Sequence, residues 1–199
     1  MTTVRLLHPR GVLTVAGACF VAIAVAIVLW GAFPADAFIR ESLLKGARPE
    51  VVSIFRVVNM AGDWRGLLPG TLVLFALFPR ARARWWLWAG LMVVAPLSEW
   101  ALKHVFMRPR PESLSFSFPS GHSTAAAAFF GAVMYLSGSL APPWRGVVRV
   151  LAALMMVLVG LARVILRAHW PSDVMAGFAL GLALASLASL MAERERASA

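Results

Sequence analysis

The stretch Phe118-Pro119-Ser120-Gly121-His122-Ser123 separates two strongly apolar parts of the chain and determines how they are organised. Pro119 ends the segment before it, Ser120 is a typical N-cap residue, and the apolar run from Ala125 onward predicts a helix. The free backbone N–H groups at a helix start attract an anion, and His122 is close enough in sequence to pass a proton to it. This stretch therefore predicts a helix start, and it becomes an anion site if other segments bring matching chemistry.

The composition excludes an ordinary soluble domain. The 199 residues are 60% hydrophobic and only 14% charged, whereas soluble domains carry roughly 25% charge. The net charge of +10 comes from arginines at the ends of apolar runs, where lipid headgroups are the ordinary partners. We therefore expect a lipid bilayer as the environment and no nucleic acid as a partner. Tryptophans near segment ends fit the aromatic belts of a membrane protein: Trp30, Trp85, Trp86, Trp144 and Trp170.

The apolar segments predict an all-α integral membrane protein, a six-transmembrane-helix bundle forming a single domain over residues 1–199. A cleaved signal peptide is the alternative for the first span, since Ala35-Asp36-Ala37 resembles a cleavage site, but the apolar core is long for a signal. The segment 34–65 mixes charges with apolar residues at helical spacing, which favours a short interfacial helix after the first span. The predicted spans are 11–33, 66–82, 85–102, 121–140, 147–166 and 174–192.

Six spans place both termini on one side of the membrane. Several basic residues lie in the two polar turns around Gly121 and His169. A role in the chemistry of the site accounts for their position, so they do not report the orientation in the membrane. With those set aside, the remaining basic residues favour termini inside and polar turns outside. The prediction is a multi-pass protein of a bacterial-type inner membrane whose site faces the periplasm or exterior. The residues on the inner side are Arg5, Arg10, Arg80, Arg82, Arg84, Arg145, Arg149, Arg194 and Arg196.

Three polar blocks fall on the predicted outer side, and together they describe a phosphate site. Arginine forks suit phosphate oxygens, and lysine supplies a point charge. The alternative for Lys103 is a simple helix-end ion pair with Glu99, four residues before it. Few carboxylates accompany the cations, so we expect no metal and no other cofactor, and a metal-independent reaction. The blocks are Lys103 with Arg110, Ser120-Gly121-His122, and Arg163 with His169 and Asp173.

The spacing of His169 and Asp173 indicates an oriented histidine. Four residues apart across a helix start, the carboxylate can accept the Nδ1 hydrogen and leave Nε2 free, which makes histidine a better nucleophile. For an isolated pair, a structural hydrogen bond is the more common role. The presence of Arg163 and His122 favours catalysis here.

These blocks resemble, in order, the three signature motifs of the type 2 phosphatidic acid phosphatase (PAP2) family of membrane lipid phosphatases. The first is Lys103, six residues and Arg110-Pro111; the second is Pro119-Ser120-Gly121-His122; the third is Arg163, five residues, His169, three residues and Asp173. One departure is Ala162, where the family usually has a serine that contacts phosphate; its loss bears on affinity more than on activity.

The resemblance implies a role for each residue of the three blocks. His169 would attack phosphorus to give a phosphohistidine, Asp173 would orient it, and His122 would protonate the leaving oxygen and then activate water. His8 and His104 match no motif, and we interpret them as structural or interfacial. The phosphate-binding residues implied are Lys103, Arg110, Ser120, Gly121 and Arg163.

The function expected from these residues is hydrolysis of a lipid phosphomonoester or diphosphate. The link from Pro111 to Pro119 is short, so substrate choice is left open among a polyprenyl diphosphate, phosphatidylglycerophosphate, phosphatidate and a lipid A phosphate. Two alternatives remain: a lipid phosphotransferase that uses the same histidine, and a non-catalytic lipid-binding or transport protein of the same fold. The oligomeric state is also left open.

Overall fold

The computed structural model describes residues 8–31 and 33–197 and is almost entirely helical. Short 3-10 turns follow α3 and α7, and a small β-hairpin links α6 to α7. In chain order, the helices are α1 (Pro9–Trp30), α2 (Pro34–Lys45), α3 (Pro49–Asn59), α4 (Trp64–Leu77), α5 (Pro79–Ala83), α6 (Trp85–Phe106), α7 (Gly121–Leu136), α8 (Pro142–Ile165) and α9 (Pro171–Ala197).

Length and apolar composition identify membrane-spanning candidates among the described residues. Three helices qualify: α1, α8 and the part of α9 from Pro171 to Arg194. Helix α4 is apolar but has only 14 residues, fewer than the roughly 20 usually needed to cross. The count of six spans and the interfacial position of residues 34–65 therefore stay predictions. Arg5, used in the charge argument for orientation, lies outside the described residues, as does the side chain of Arg196.

Prolines explain most differences between predicted and observed helix bounds. Proline is favoured at the first position of a helix, where its missing N–H costs nothing. Pro79 accordingly begins α5 and divides the predicted segment 66–82 into two helices. Pro49 does the same within 34–65, so that segment contains two helices and a 3-10 turn, not one helix. Pro142 and Pro171 begin α8 and α9 a few residues earlier than predicted.

The hairpin is a departure from the all-α prediction. Strand β1 (Pro109–Arg110) pairs antiparallel with β2 (Ser113–Phe116), and Arg110 lies opposite Ser113. Glu112 in the turn accepts hydrogen bonds from Arg40 of α2 and, at 3.0 Å, from Arg167 after α8. The hairpin is therefore held by two other segments, and it presents Arg110 from a fixed backbone.

Helix α7 lies at the centre of the fold, in contact with α6, α8 and α9. Small residues allow its close approach to α9: a Cβ atom on Gly177 would lie 2.7 Å from the carbonyl oxygen of Ser120, and one on Gly181 would clash with the Thr124 carbonyl. Small residues four positions apart allow two helices to pack this closely. As a result, the starts of α7 and α9 lie side by side, and the Ser120 N–H donates to the Asp173 carbonyl at 3.0 Å.

Candidate active site

A cavity of about 820 Å³ opens beside the start of α7. One end is lined by charged and histidine side chains, and the other runs between α4 and α6 along apolar residues. The cavity therefore has a polar head and an apolar branch. The polar end contains Asp63, Glu99, Lys103, Arg110, His122, Arg163 and His169. The apolar branch includes Leu67, Leu68, Leu72, Phe75, Met92 and Pro96.

The start of α7 borders the cavity, but the Ser120 side chain does not cap the helix. Gly121 and His122 line the cavity, and the first backbone N–H groups of a helix have no intrahelical acceptor. Ser120 occupies the N-cap position, but its side chain makes no cap hydrogen bond. Its hydroxyl is fully buried and instead accepts a hydrogen bond from the Ser123 hydroxyl at 2.9 Å. The prediction that the Ser120 side chain caps α7 is therefore wrong, because its hydroxyl pairs with that of Ser123.

The three predicted cations meet at the polar end of the cavity. Arg163 extends from the last turn of α8, and its Nη1 donates to the Asn59 side-chain oxygen at 2.5 Å. Its Nε is buried without a hydrogen-bond partner among the described residues, so a donor is left for an incoming oxygen. Arg110 lies in the hairpin, and a hydrogen bond from its Nε to the Phe116 carbonyl at 3.2 Å orients its side chain. Together with Lys103, these side chains give the cavity the charge that an anion requires.

Lys103 forms an ion pair with Glu99 and also lines the cavity, so the two interpretations open for it both describe part of its environment. The Glu99 carboxylate lies against the helix start: a Cβ on Gly121 would be 2.7 Å from Glu99 Oε1. A carboxylate here faces a helix N-terminus, which is a favourable position for negative charge. Glu99 therefore occupies space at the start of α7 that another anion would otherwise take.

His169 lies in the turn between α8 and α9 with its ring against Asp173. Nδ1 of His169 is 3.5 Å from Asp173 Oδ2, and both side chains are almost completely buried. Asp173 is the third residue of α9, and its Oδ2 accepts the Trp170 backbone N–H at 2.9 Å, which closes the helix start as in a capping box. The helix start thus fixes the carboxylate, and Nε2 is the His169 ring nitrogen left for the cavity.

The surroundings of His169 keep its ring neutral. Burial lowers the pKa of His169 to about 4, and the charges of Arg163 and Arg110 act in the same direction. The charge of Asp173 and its contact with Nδ1 oppose this lowering of the pKa but do not overcome it. A neutral imidazole has a free lone pair, so this environment suits a nucleophile at neutral pH.

We expect the ring of His169 to stay neutral through mildly acidic pH. Since its pKa is lowered to about 4, the ring takes up a proton only as the pH falls through that value. Imidazole nitrogen NMR on histidine-labelled protein in micelles measures this, with the His169 signal assigned by its loss in His169→Asn. A midpoint near the ordinary value of about 6.5 would contradict the expectation.

Two residues of the site, Asn59 and Asp63, belong to none of the three sequence motifs. Asp63 Oδ2 lies 3.9 Å from Nε2 of His122, and the Asn59 side-chain oxygen accepts a hydrogen bond from Arg163. Asp63 also accepts the Arg65 backbone N–H at 2.8 Å as the N-cap of α4, which is the one local sequence signal that could have drawn attention to it.

The predicted site residues differ in their access to the cavity. Asp173 and Ser120 lie behind the residues that line it. The histidines without a motif, His8 and His104, are absent from its lining. The predicted residues that the structure gathers around the cavity are Lys103, Arg110, Gly121, His122, Arg163 and His169.

Long apolar helices and a cavity where cations and histidines meet define the class, a helical membrane protein with a cationic cavity. The family model of the PAP2 superfamily matches residues 83–197, more than half of the chain. The chain therefore belongs to the PAP2 superfamily. The matched region contains the three motif blocks, and the family resemblance drawn from them is confirmed.

Individual relatives support the same assignment. Phosphatidylglycerophosphatase B of Bacillus subtilis is 36% identical over 111 residues, which cover 49% of this chain and 55% of that protein. Lipid A 1-phosphatase of Rhizobium johnstonii is 41% identical over 78 residues, covering 39% of this chain and 29% of that one. The chain thus matches about half, or less, of the length of these curated relatives.

A solved structure matches over a much larger share of the chain. The crystal structure of a transmembrane PAP2 type phosphatidylglycerolphosphate phosphatase from Bacillus subtilis has a TM-score of 0.76 and 28% identity. It covers 92% of this chain and 96% of that chain. At this coverage the likeness extends over most of the residues that precede position 83, where the family model begins.

Proposed function

We propose that this protein is a phosphatase that hydrolyses a lipid phosphomonoester or diphosphate in the membrane. The observation that carries the proposal is the shape of one cavity, whose cationic end continues into an apolar branch between α4 and α6. A phosphorylated lipid has the same two parts, a multiply charged head and a long apolar chain. The relatives named for phosphatidylglycerophosphate and lipid A add support from sequence.

The cationic end supplies what phosphoryl transfer requires. Lys103, Arg110 and Arg163 would hold the non-bridging oxygens, together with the Gly121 backbone N–H, and would offset charge that builds on the transferring group. Ser120 would act from behind Gly121, by fixing the helix start. Positioned cations of this kind lower the barrier without a metal ion, so we propose metal-independent catalysis.

The two histidines have different roles in the two chemical steps. The Nε2 lone pair of His169 attacks phosphorus, the bond from phosphorus to the lipid oxygen breaks, and His122 gives a proton to the departing oxygen. In the second step His122 takes a proton from water, the water oxygen attacks the phosphohistidine, and inorganic phosphate leaves as the P–N bond breaks. Asp173 orients His169, and Asp63 is placed to stabilise His122 while that ring carries a proton.

The distribution of basic residues along the chain supports a membrane location and an orientation. We propose a single six-span domain in a bacterial-type inner membrane with the cavity facing the periplasm or exterior. Substrate candidates remain a polyprenyl diphosphate, phosphatidylglycerophosphate, phosphatidate and a lipid A phosphate, because the hairpin around Glu112 is too short to provide a headgroup-reading lid.

A phosphate-release assay over these four lipids in EDTA tests the proposal. We expect release from at least one lipid by the wild-type protein and none by His169→Asn. Release that stops in EDTA would overturn metal independence. Transfer of phosphate to an added lipid alcohol, with none to water, would support the phosphotransferase. Lipid binding without any turnover would support the transport protein.

We expect Glu99→Gln to strengthen inhibition by inorganic phosphate. The Glu99 carboxylate pairs with Lys103 beside Gly121, so it competes with an anion for the same cation. Glutamine keeps the shape without the charge, and we expect the inhibition constant for phosphate and the KM to fall by roughly tenfold. Glu41→Gln, an exposed carboxylate on α2, is the matched control. A higher KM in Glu99→Gln would instead mean that Glu99 serves to orient Lys103.

A further inference from the structure

A chain of buried charges connects α2 to the candidate nucleophile. Arg108 precedes the hairpin, and its Nη1 donates to Asp173 Oδ1 at 2.6 Å while its Nη2 donates to Asp36 Oδ2 at 2.8 Å. Asp36 also accepts hydrogen bonds from the backbone N–H of Ser172 at 2.8 Å and from its hydroxyl at 2.6 Å. Asp36 therefore contacts the start of α9 directly and through Arg108.

Each charged side chain in this network is removed from solvent. The Arg108 and Asp36 side chains are 4% exposed, and that of Asp173 is 0% exposed. Burying three charges carries a large desolvation cost that hydrophobic side chains would avoid. Neither Asp36 nor Arg108 lines the cavity, so phosphate binding does not account for them. Arg108 contacts the carboxylate that faces His169, and Asp36 reaches that carboxylate only through Arg108.

We propose that Asp36 and Arg108 are positioning residues that fix the orientation of Asp173 and set the charge felt by His169. Without Arg108, Oδ1 of Asp173 would lose its charged donor, and only the Trp170 N–H on Oδ2 would still hold the carboxylate toward Nδ1 of His169. The assignment rests on the proposed function only where turnover is concerned. Its electrostatic part is a property of the protein without substrate.

The sign of the effect follows from the charges around His169. The network contains two carboxylates, Asp36 and Asp173, and one guanidinium, that of Arg108. Its net charge is therefore one negative. Removing Asp36 leaves that net charge at zero, so the protonated ring or the cationic phosphohistidine is stabilised less. Removing Arg108 leaves two negative charges and has the opposite effect. The other charged or titratable groups that face the ring are Arg110 of β1, His122 of α7 and Arg163 of α8.

Paired variants test this relation by imidazole nitrogen NMR in micelles. We expect Asp36→Asn to lower the midpoint of His169 by on the order of half to one pH unit, and Arg108→Gln to raise it by a similar amount. In the double variant Asp36→Asn/Arg108→Gln the two charge changes cancel, and the midpoint should return close to the wild-type value. Glu41→Gln, an exposed carboxylate on the same helix as Asp36, should leave the midpoint unchanged.

The kinetic counterpart uses any lipid phosphate that the wild-type protein hydrolyses. A misoriented nucleophile slows chemistry without weakening phosphate binding, so we expect kcat of Asp36→Asn to fall about tenfold or more with KM nearly unchanged. An unchanged His169 midpoint in Asp36→Asn would overturn the proposal, as would shifts of the same sign in both single variants. If the wild-type protein hydrolyses no lipid phosphate but the midpoints shift as stated, the proposed function fails and the positioning role stands.

Discussion

Replacing His169 with asparagine is expected to abolish phosphate release, by a factor of at least about 10⁴. The ring lies between Asp173 and the cavity, with Nδ1 3.5 Å from a fully buried carboxylate, whereas the other histidine of the cavity, His122, is 3.9 Å from the partly exposed Asp63. Asparagine can still donate to Asp173 from a buried position, so the helix start should persist. What the variant lacks is the lone pair that attacks phosphorus.

Rapid quenching with a radiolabelled lipid phosphate measures the step directly. Wild-type protein should accumulate an acid-labile, base-stable phosphoenzyme before steady state, and His169→Asn should form none. His104→Asn is the matched control, since His104 is exposed and faces the Trp100 carbonyl at 2.7 Å, away from the cavity. A phosphoenzyme in His169→Asn would transfer the nucleophilic role to another residue.

Local sequence patterns account for much of the candidate site. The pairing of His169 with Asp173 follows from a four-residue spacing across a helix start, and the turn around Gly121 follows from a proline and a helix-forming run. Such relations extend over one or two turns of chain, so they can be recognised without tertiary information. The glycines at 177 and 181 belong to the same category, because small residues at that spacing indicate a close helix contact.

The remaining residues of the site depend on contacts between distant segments. Asp36 was placed in a segment expected to lie along the membrane interface, yet it is 3% exposed and reaches residues 72 and 136 positions away. Asn59 meets Arg163 across 104 positions. A single sequence contains no signal for pairs this far apart. The same reason explains the hairpin, whose two short strands are stabilised by Arg40 and Arg167 through Glu112 and not by strand propensity alone.

The second large effect concerns Arg163, the most enclosed cation of the cavity. Its Nη1 is committed to Asn59, which sets the direction of the guanidinium, and its buried Nε has no partner among the described residues. A phosphoryl oxygen can take up that unused donor as negative charge grows in the transition state. We therefore expect Arg163→Met to reduce kcat/KM by about 10³. Arg163→Lys should recover only part of this loss, since lysine cannot form the fork that binds Asn59 and phosphate together.

Arg167 provides the matched control for this prediction. It is four residues further along the chain, but its side chain is 56% exposed and is bound to Glu112 of the hairpin, outside the cavity lining. Steady-state kinetics and inhibition by inorganic phosphate are measured for both variants. We expect Arg163→Met to weaken both turnover and phosphate inhibition. Arg167→Met should change each by less than about threefold. Equal losses in the two variants would mean that general positive charge near the membrane surface attracts the substrate. A loss confined to Arg163 would support direct contact with the transferring group, because attraction by general surface charge would be weakened in Arg167→Met as well.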